Sequence, residues 1–375
     1  MEALARSRAT SFFSAVAKRY EGGGAASVVV THVLGDRPLF VNALSRVAEV
    51  TAVLPKPKSV DSAAIAELRD LYRVATLDRR KCADATWLAE FLDSCAPGRR
   101  LVLVDIGGYF ASALAEAEKR FSGELIGVVE DTENGVQKYE RIGELPCPVI
   151  QVARSPLKNS EDFLVGQSIV FSTEAILREQ GDILQGREAC VIGYGKVGRS
   201  VAQLLQLRSV RTTVFDINPL PLTEAMAHGF RVAHSKEDAL RGAGLVMCAT
   251  GRLSLRRDDF AKLAPGAYVA SVTSSDDELD LADVRSTYRR RYVTEYIDRF
   301  QSDSHHFYLL NNGNAVNFIH GAAVGPFILL VQAEILAGVS MISTSDLPNN
   351  IISVDETQRR AIADLWLDHF AGVTS

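Results

Sequence analysis

The 375-residue sequence is poor in cysteine: Cys82, Cys95, Cys147, Cys190 and Cys248 are scattered, and no two form a C-x-x-C pair. A disulfide framework or a thiolate metal cluster needs close, repeated spacings, so neither is expected and the thiols read as reduced. There is no basic block either, with 41 Lys and Arg against 46 Asp and Glu for a net charge of −5. A chain that tracks nucleic-acid phosphates carries a basic stripe, so no nucleic-acid partner is expected. The longest weakly polar stretch lies between His320 and Glu334 and reads as far short of the ~20 apolar residues that cross a bilayer. No membrane partner follows. Hydrophobic residues make up 47% and charged residues 23%, enough apolar surface to exclude a disordered chain. The first twenty-four residues are rich in Arg, Ser and Ala, a faint likeness to a transit peptide. An amphipathic helix ended by Gly22, Gly23 and Gly24 is the preferred reading, and with it a cytoplasmic location.

What is present is alternation. Val/Ile-rich runs at 27–34, 47–54, 100–107, 124–130 and 148–153 are followed by a second series at 188–195, 212–218, 243–251 and 267–273. They are apolar on both faces, as strands of a parallel sheet covered by two helical layers must be. Amphipathic stretches such as 62–74 and 197–207 lie between them. The expected fold class is therefore α/β, with two doubly wound Rossmann-like domains. A polar segment at 178–186 reads as a seam before the second series, and the chain from 321 onward reads as mostly helical with a break at 345–350.

The strongest motif is ACVIGYGKVGRSVAQLLQL, in which a strand runs into Gly193-x-Gly195-x-x-Gly198 and a helix opens at once. Such glycines allow a tight turn, close approach of backbone to a pyrophosphate, and tight helix–strand packing. A second strand ends in Asp216, eighteen residues after Gly198, where a carboxylate would bind the adenosine ribose hydroxyls and repel a 2′-phosphate. NAD, rather than NADP, is the expected cofactor.

The segments VVEDTENGV, the glycine loop, FDINPL, ATG and NNGNAVNF occur in the order in which the adenosylhomocysteinase (S-adenosylhomocysteine hydrolase) family carries similar ones. The resemblance is clearest from about 100 to 330 and diffuse before residue 90. It implies a substrate domain made of residues 1–170 and 321–375, an NAD domain at 171–320 inserted between them, and a homodimer or larger homo-oligomer acting on a nucleoside-like small molecule. On the cofactor side it assigns Gly193, Gly195, Val197, Gly198, Asp216, Thr250, Asn317 and Thr132. On the catalytic side it assigns Lys158, Asp162, Asp131 and His32. Each of the four has a plainer reading. Lys158 and Asp162, four residues apart, also fit a surface helix pair, Asp131 a helix cap, and His32 a packed strand residue.

The departures are as informative. Where the family has its second, catalytic aspartate this chain has Ile106; a histidine becomes Ser274, and a cysteine becomes Gln167. Asp105 remains, but strand alternation turns it to the other face. His320 lies near, but not at, the place of another family histidine, and His305 and His306 read as loop residues in no metal spacing. The C-terminal lysine and tyrosine that reach a neighbouring subunit's cofactor have no counterpart, which implies exchangeable NAD. The expected activity is NAD-dependent oxidation of a 3′-hydroxyl-type alcohol on a nucleoside or nucleoside-like metabolite, with elimination and hydrolysis altered. The alternative is a catalytically impaired NAD-binding regulator or assembly subunit; unchanged adenosylhomocysteine hydrolysis ranks last.

Overall fold

Val28, Val29 and Val30 follow one another along a single strand and none is exposed, so that strand has no solvent face. The computed structural model, which describes residues 3–273 and 278–371, builds from such strands two units, Met1–Lys158 with Gly325–Ser375, and Asn159–Val324. The first contains β1 (Ala26–Val33), β2 (Glu49–Val60), β3 (Arg100–Asp105), β4 (Glu124–Glu130), β5 (Val149–Gln151) and, from the chain's other end, β14 (Ile351–Ile352). They form one parallel sheet in the order β14-β5-β4-β3-β1-β2. Successive side chains enter opposite cores: Val29, Val102 and Val104 on one face, Val28, Leu101 and Leu103 on the other. The order reverses between β1 and β3, where doubly wound sheets open a crevice at their carboxyl edge. Asp61, Asp78 and Asp84 each accept backbone N–H bonds and start a helix.

The second unit holds β6 (Glu188–Ile192), β7 (Arg211–Phe215), β8 (Arg231–Val232), β9 (Leu245–Cys248), β10 (Ala267–Ser271), β11 (Arg289–Thr294), β12 (Ile297–Gln301) and β13 (His306–Leu310). Their order is β11-β12-β13-β10-β9-β6-β7-β8, with the reversal between β6 and β9.

Several expectations change. The sheet is not wholly parallel, because β13, β12 and β11 run antiparallel along one edge. Short turns, rather than a crossover helix, join them, as antiparallel neighbours allow. His306 opens β13 and is no loop residue, while His305 bonds to the Leu263 carbonyl at 2.9 Å. The units divide after Lys158 and after Val324, not at 171 and 320. The reason is one continuous helix, Lys158–Glu179, whose Ile169, Val170, Ile176 and Leu177 lie in the second unit's core. The polar segment 178–186 holds the last residues of that helix and most of its link to β6. The apolar stretch near 320–334 is longer than it read: Gly325–Thr344 is helical, 20 residues long and apolar enough by composition to cross a membrane. It runs instead through the first unit's core, with Leu330, Val331 and Leu336 buried and Glu334 paired to Arg359 at 2.7 Å. Ser274 lies outside the described residues.

Candidate functional site

The glycine loop of the second unit sits at the reversal between β6 and β9. Gly193 has φ +94°, and a Cβ there would stand 2.7 Å from the Ala249 carbonyl oxygen that follows β9. A Cβ on Gly198 would stand 2.0 Å from the Gly193 carbonyl oxygen, so neither position admits a side chain. Gly195 precedes the helix Lys196–Leu207 without a side-chain cap, leaving first-turn N–H groups for an anion. Val197 packs on the core behind the loop. Asp216, just beyond β7, accepts from Tyr194 N and Asn218 N, both at 2.8 Å, which fixes its carboxylate beside the loop. Thr250 donates its N–H and hydroxyl to Glu278 at 2.8 and 2.9 Å, and Thr273 donates to the same carboxylate at 2.6 Å. Burial raises Glu278 to about 7 against those hydrogen bonds. Asn317 is buried, and its Oδ1 meets no hydrogen-bond partner among the described residues. A buried amide oxygen without a donor is costly, and a carboxamide N–H is the kind of group that would satisfy it. The loop, the acid and the orphaned amide fit a nicotinamide dinucleotide.

In the first unit, Asp131 follows β4 and Lys158 opens the helix after β5, so both stand at the carboxyl edge. Lys158 Nζ lies 2.9 Å from Asp131 Oδ1, and both side chains are nearly buried. Asp162, one turn further along the helix, lies 3.7 Å from Lys196 of the glycine loop. His32, near the end of β1, bonds through Nδ1 to the Ser59 hydroxyl. Burial of its ring, then the charges of Lys56, Arg37 and Lys158, hold its pKa well below the ordinary value. Thr132, expected at the cofactor, belongs to the first unit and serves as a helix cap. Its Oγ1 accepts from Gly135 N at 3.1 Å and donates to Glu130 at 2.7 Å. The cap expected of Asp131 is thus provided by its neighbour.

Two features escaped the sequence reading. Asp105 and Glu130 are register partners on β3 and β4 and both are fully buried. Glu130 accepts from Gly107 N and Gly108 N at 2.9 Å and from Thr132 N at 2.7 Å, so it ties the turn after β3 to the turn after β4. The available signal was an acid ending a buried strand opposite a Gly-Gly turn. The second feature is a bulge: Thr31 pairs with Pro55 but Val33 with Val60, so residues 56–59 of β2 face His32 alone. Nothing in the apolar pattern announces that slip.

Comparison with known proteins agrees with this geometry. Residues 165–324 match the family described as S-adenosyl-L-homocysteine hydrolase, NAD binding domain. An adenosylhomocysteinase of Pyrococcus abyssi is 30% identical over 260 residues, 65% of this chain and 60% of that protein's length. One of Thermoplasma acidophilum is 25% identical over 344 residues, covering 87% of this chain and 81% of the relative. A third, of Thermococcus kodakarensis, is 27% identical over 306 residues, covering 76% and 70%. The chain is a divergent relative of the adenosylhomocysteinases. Its second unit is an NAD-binding domain. When bound, NAD supplies a two-electron acceptor, and Gly193, Gly195, Gly198, Asp216, Thr250 and Asn317 would hold it.

Divergence shows on the other side. Ile106, where the resemblance leads to an expected aspartate, is buried in the first unit's core and has no titratable group. Gln167 is exposed on its helix. His320 bonds to Ser172 Oγ at 2.9 Å within the second unit. Asp216 offers a direct test of cofactor choice. Asp216→Asn is expected to raise affinity for NADP relative to NAD by about tenfold, since a like-charge contact with the 2′-phosphate disappears. Titration of both cofactors by tryptophan fluorescence checks it.

Proposed function

We propose that the protein is an NAD-dependent enzyme that oxidises a secondary alcohol, of 3′-hydroxyl type, on a nucleoside or nucleoside-like metabolite. The observation that carries this reading is the nearly buried Lys158–Asp131 pair, 2.9 Å apart at the carboxyl edge of a doubly wound sheet, in a chain that keeps the whole dinucleotide loop. Oxidation of an alcohol removes a hydride from carbon and a proton from oxygen. Lys158 Nζ hydrogen-bonds the substrate oxygen and takes its proton as one of its own passes to Asp131; the ammonium is kept and the proton ends on the carboxylate. His32, held neutral, orients the substrate through its ring. Asp162 steadies Lys196 at the loop that would hold the pyrophosphate.

Elimination at the neighbouring carbons needs further acid or base groups, and Ile106 provides none, so that half of adenosylhomocysteinase chemistry is altered. Ile106 also favours a second reading, an NAD-binding regulator that has lost catalysis. Purified protein with NAD is expected to form reduced nicotinamide, read by its absorbance, with at least one member of a panel of adenosine, its 5′-thioethers and deoxy analogues. No absorbance across the panel would favour the regulator. We also propose a homo-oligomer, which sedimentation equilibrium checks.

A further inference from the structure

We propose that Glu278 is a cofactor-positioning residue that couples NAD binding to the uptake of a proton, through a hydrogen it exchanges with the Thr250 hydroxyl at the turn after β9. This goes beyond the preceding reading and rests only on the NAD site, which an enzyme and a regulator would have in common.

Glu278 is buried, and its carboxylate ties together the ends of two adjacent strands, since Thr250 follows β9 and Thr273 follows β10. Its Oε1 accepts from Thr250 N at 2.8 Å and from Thr250 Oγ1 at 2.9 Å, and its Oε2 from Thr273 Oγ1 at 2.6 Å. The Thr250 hydroxyl has a second acceptor. Its Oγ1 lies 2.7 Å from the Arg252 carbonyl oxygen, and it accepts from Arg252 N at 3.1 Å. A hydroxyl carries one hydrogen and cannot donate to both acceptors. While Glu278 is ionised, that hydrogen goes to the carboxylate. Once Glu278 is protonated, its own O–H donates to Thr250 Oγ1, and the hydroxyl hydrogen passes to the Arg252 carbonyl. Neither arrangement requires a heavy atom to move. Burial, set against the hydrogen bonds, leaves the carboxyl near the balance point, at about 7.

The same turn backs the glycine loop, for a Cβ on Gly193 would stand 3.1 Å from Thr250 N. A pyrophosphate held by that loop brings negative charge towards a buried, poorly screened carboxylate and so favours its protonated form. The two phosphate charges outweigh the single positive charge of the nicotinamide. Facing Glu278 from β9 is the Cys248 thiol, which burial and then the Glu278 charge keep protonated. Ser254 N donates to the Glu278 backbone carbonyl at 2.8 Å, and beyond Ser254 lies the Lys236–Asp259 pair, also 2.8 Å apart.

The test uses the full chain freed of nicotinamide and titrated calorimetrically with NAD from pH 5 to 9, in pairs of buffers of unlike ionisation heat. The dependence of the binding heat on the buffer gives the protons exchanged. A tenfold gain in the carboxyl's proton affinity on binding corresponds to an uptake of about half a proton per NAD near pH 7.5. The uptake should vanish towards pH 5, where Glu278 already holds its proton, and the affinity for NAD should fall by about tenfold from pH 5 to 9. Glu278→Gln keeps an oxygen for the Thr250 N–H and should remove the uptake and flatten the affinity. Thr250→Val takes away a hydroxyl that favours the ionised form and should move the uptake maximum to higher pH. Release of a proton, or no exchange, in the wild-type protein overturns the proposal without reference to any variant's folding. An equal uptake in Glu278→Gln, or an unmoved maximum in Thr250→Val, overturns it as well. Proton-linked NAD binding combined with no nicotinamide reduction by any alcohol leaves this inference standing and sinks the proposed oxidation. Reduction without proton-linked binding does the reverse.

Discussion

Lys158→Ala is expected to slow nicotinamide reduction by ~10²–10⁴, the range lost when a positioned acid–base group is removed. The affinity for NAD should be unchanged, because the glycine loop, Asp216 and Asn317 are left intact. Loss of the ammonium strands Asp131 in a nearly buried position, so some stability will fall with it, and denaturant unfolding must be measured alongside the rate. Lys158→Arg separates the two effects. It keeps a cation beside Asp131 and so restores stability, but a guanidinium holds its protons too firmly to relay one. A rate restored to the wild-type level by arginine would show that Lys158 acts only through its charge. A rate that stays low while stability recovers supports the proton relay.

The second large effect concerns pH. Asp105 and Glu130, neighbours on adjacent strands and fully buried, cannot both carry a charge cheaply, and Asp105 Oδ1 meets no partner among the described residues. Burial and the charge of Asp105 push Glu130 up to about 8, while burial raises Asp105 despite its bonds from Tyr139 and Phe110. At neutral pH Glu130 therefore holds its proton. A carboxyl whose folded pKa exceeds its unfolded value binds more protons in the folded state. Its stabilising contribution is complete below the unfolded value near 4.5 and is lost as pH rises towards 8. Stability should decline across that window by no more than ~1.4 kcal/mol per pH unit from this group. Glu130→Gln keeps an oxygen for the turn N–H groups and removes the titration, so its stability should be flatter from pH 5 to 8. Equal slopes for wild type and variant, from denaturant unfolding at each pH, would refute the raised Glu130 carboxyl. Glu130→Ala leaves the N–H groups of Gly107, Gly108 and Thr132 without their acceptor and should cost roughly 3–5 kcal/mol.

Much of the molecule was written locally. Apolar runs marked β1, β3, β4 and β6 to within a few residues, because a strand buried on both faces needs an apolar residue at every position. The glycine loop was legible for a similar reason: Gly193 and Gly198 are dictated by space, and spacing alone carries that information. Other features depend on residues distant in sequence. Lys158 was expected to act with Asp162, yet a closely packed partner is Asp131, which follows β4, 27 residues earlier. No helical periodicity encodes that meeting. Thr132, expected at the cofactor, has a hydroxyl that caps the helix after β4, a use that the sequence reading did not foresee.

The sequence by itself determined the two α/β units, the dinucleotide loop and the absence of a titratable group at Ile106, since each rests on the identity and order of neighbouring residues. The tertiary structure decided the rest. Strand register made Asp105 and Glu130 neighbours, a three-residue slip in β2 set residues 56–59 opposite His32, and sheet order brought them all to one edge. Charges act through distance in space, and in a doubly wound sheet that distance is set by which strands lie side by side.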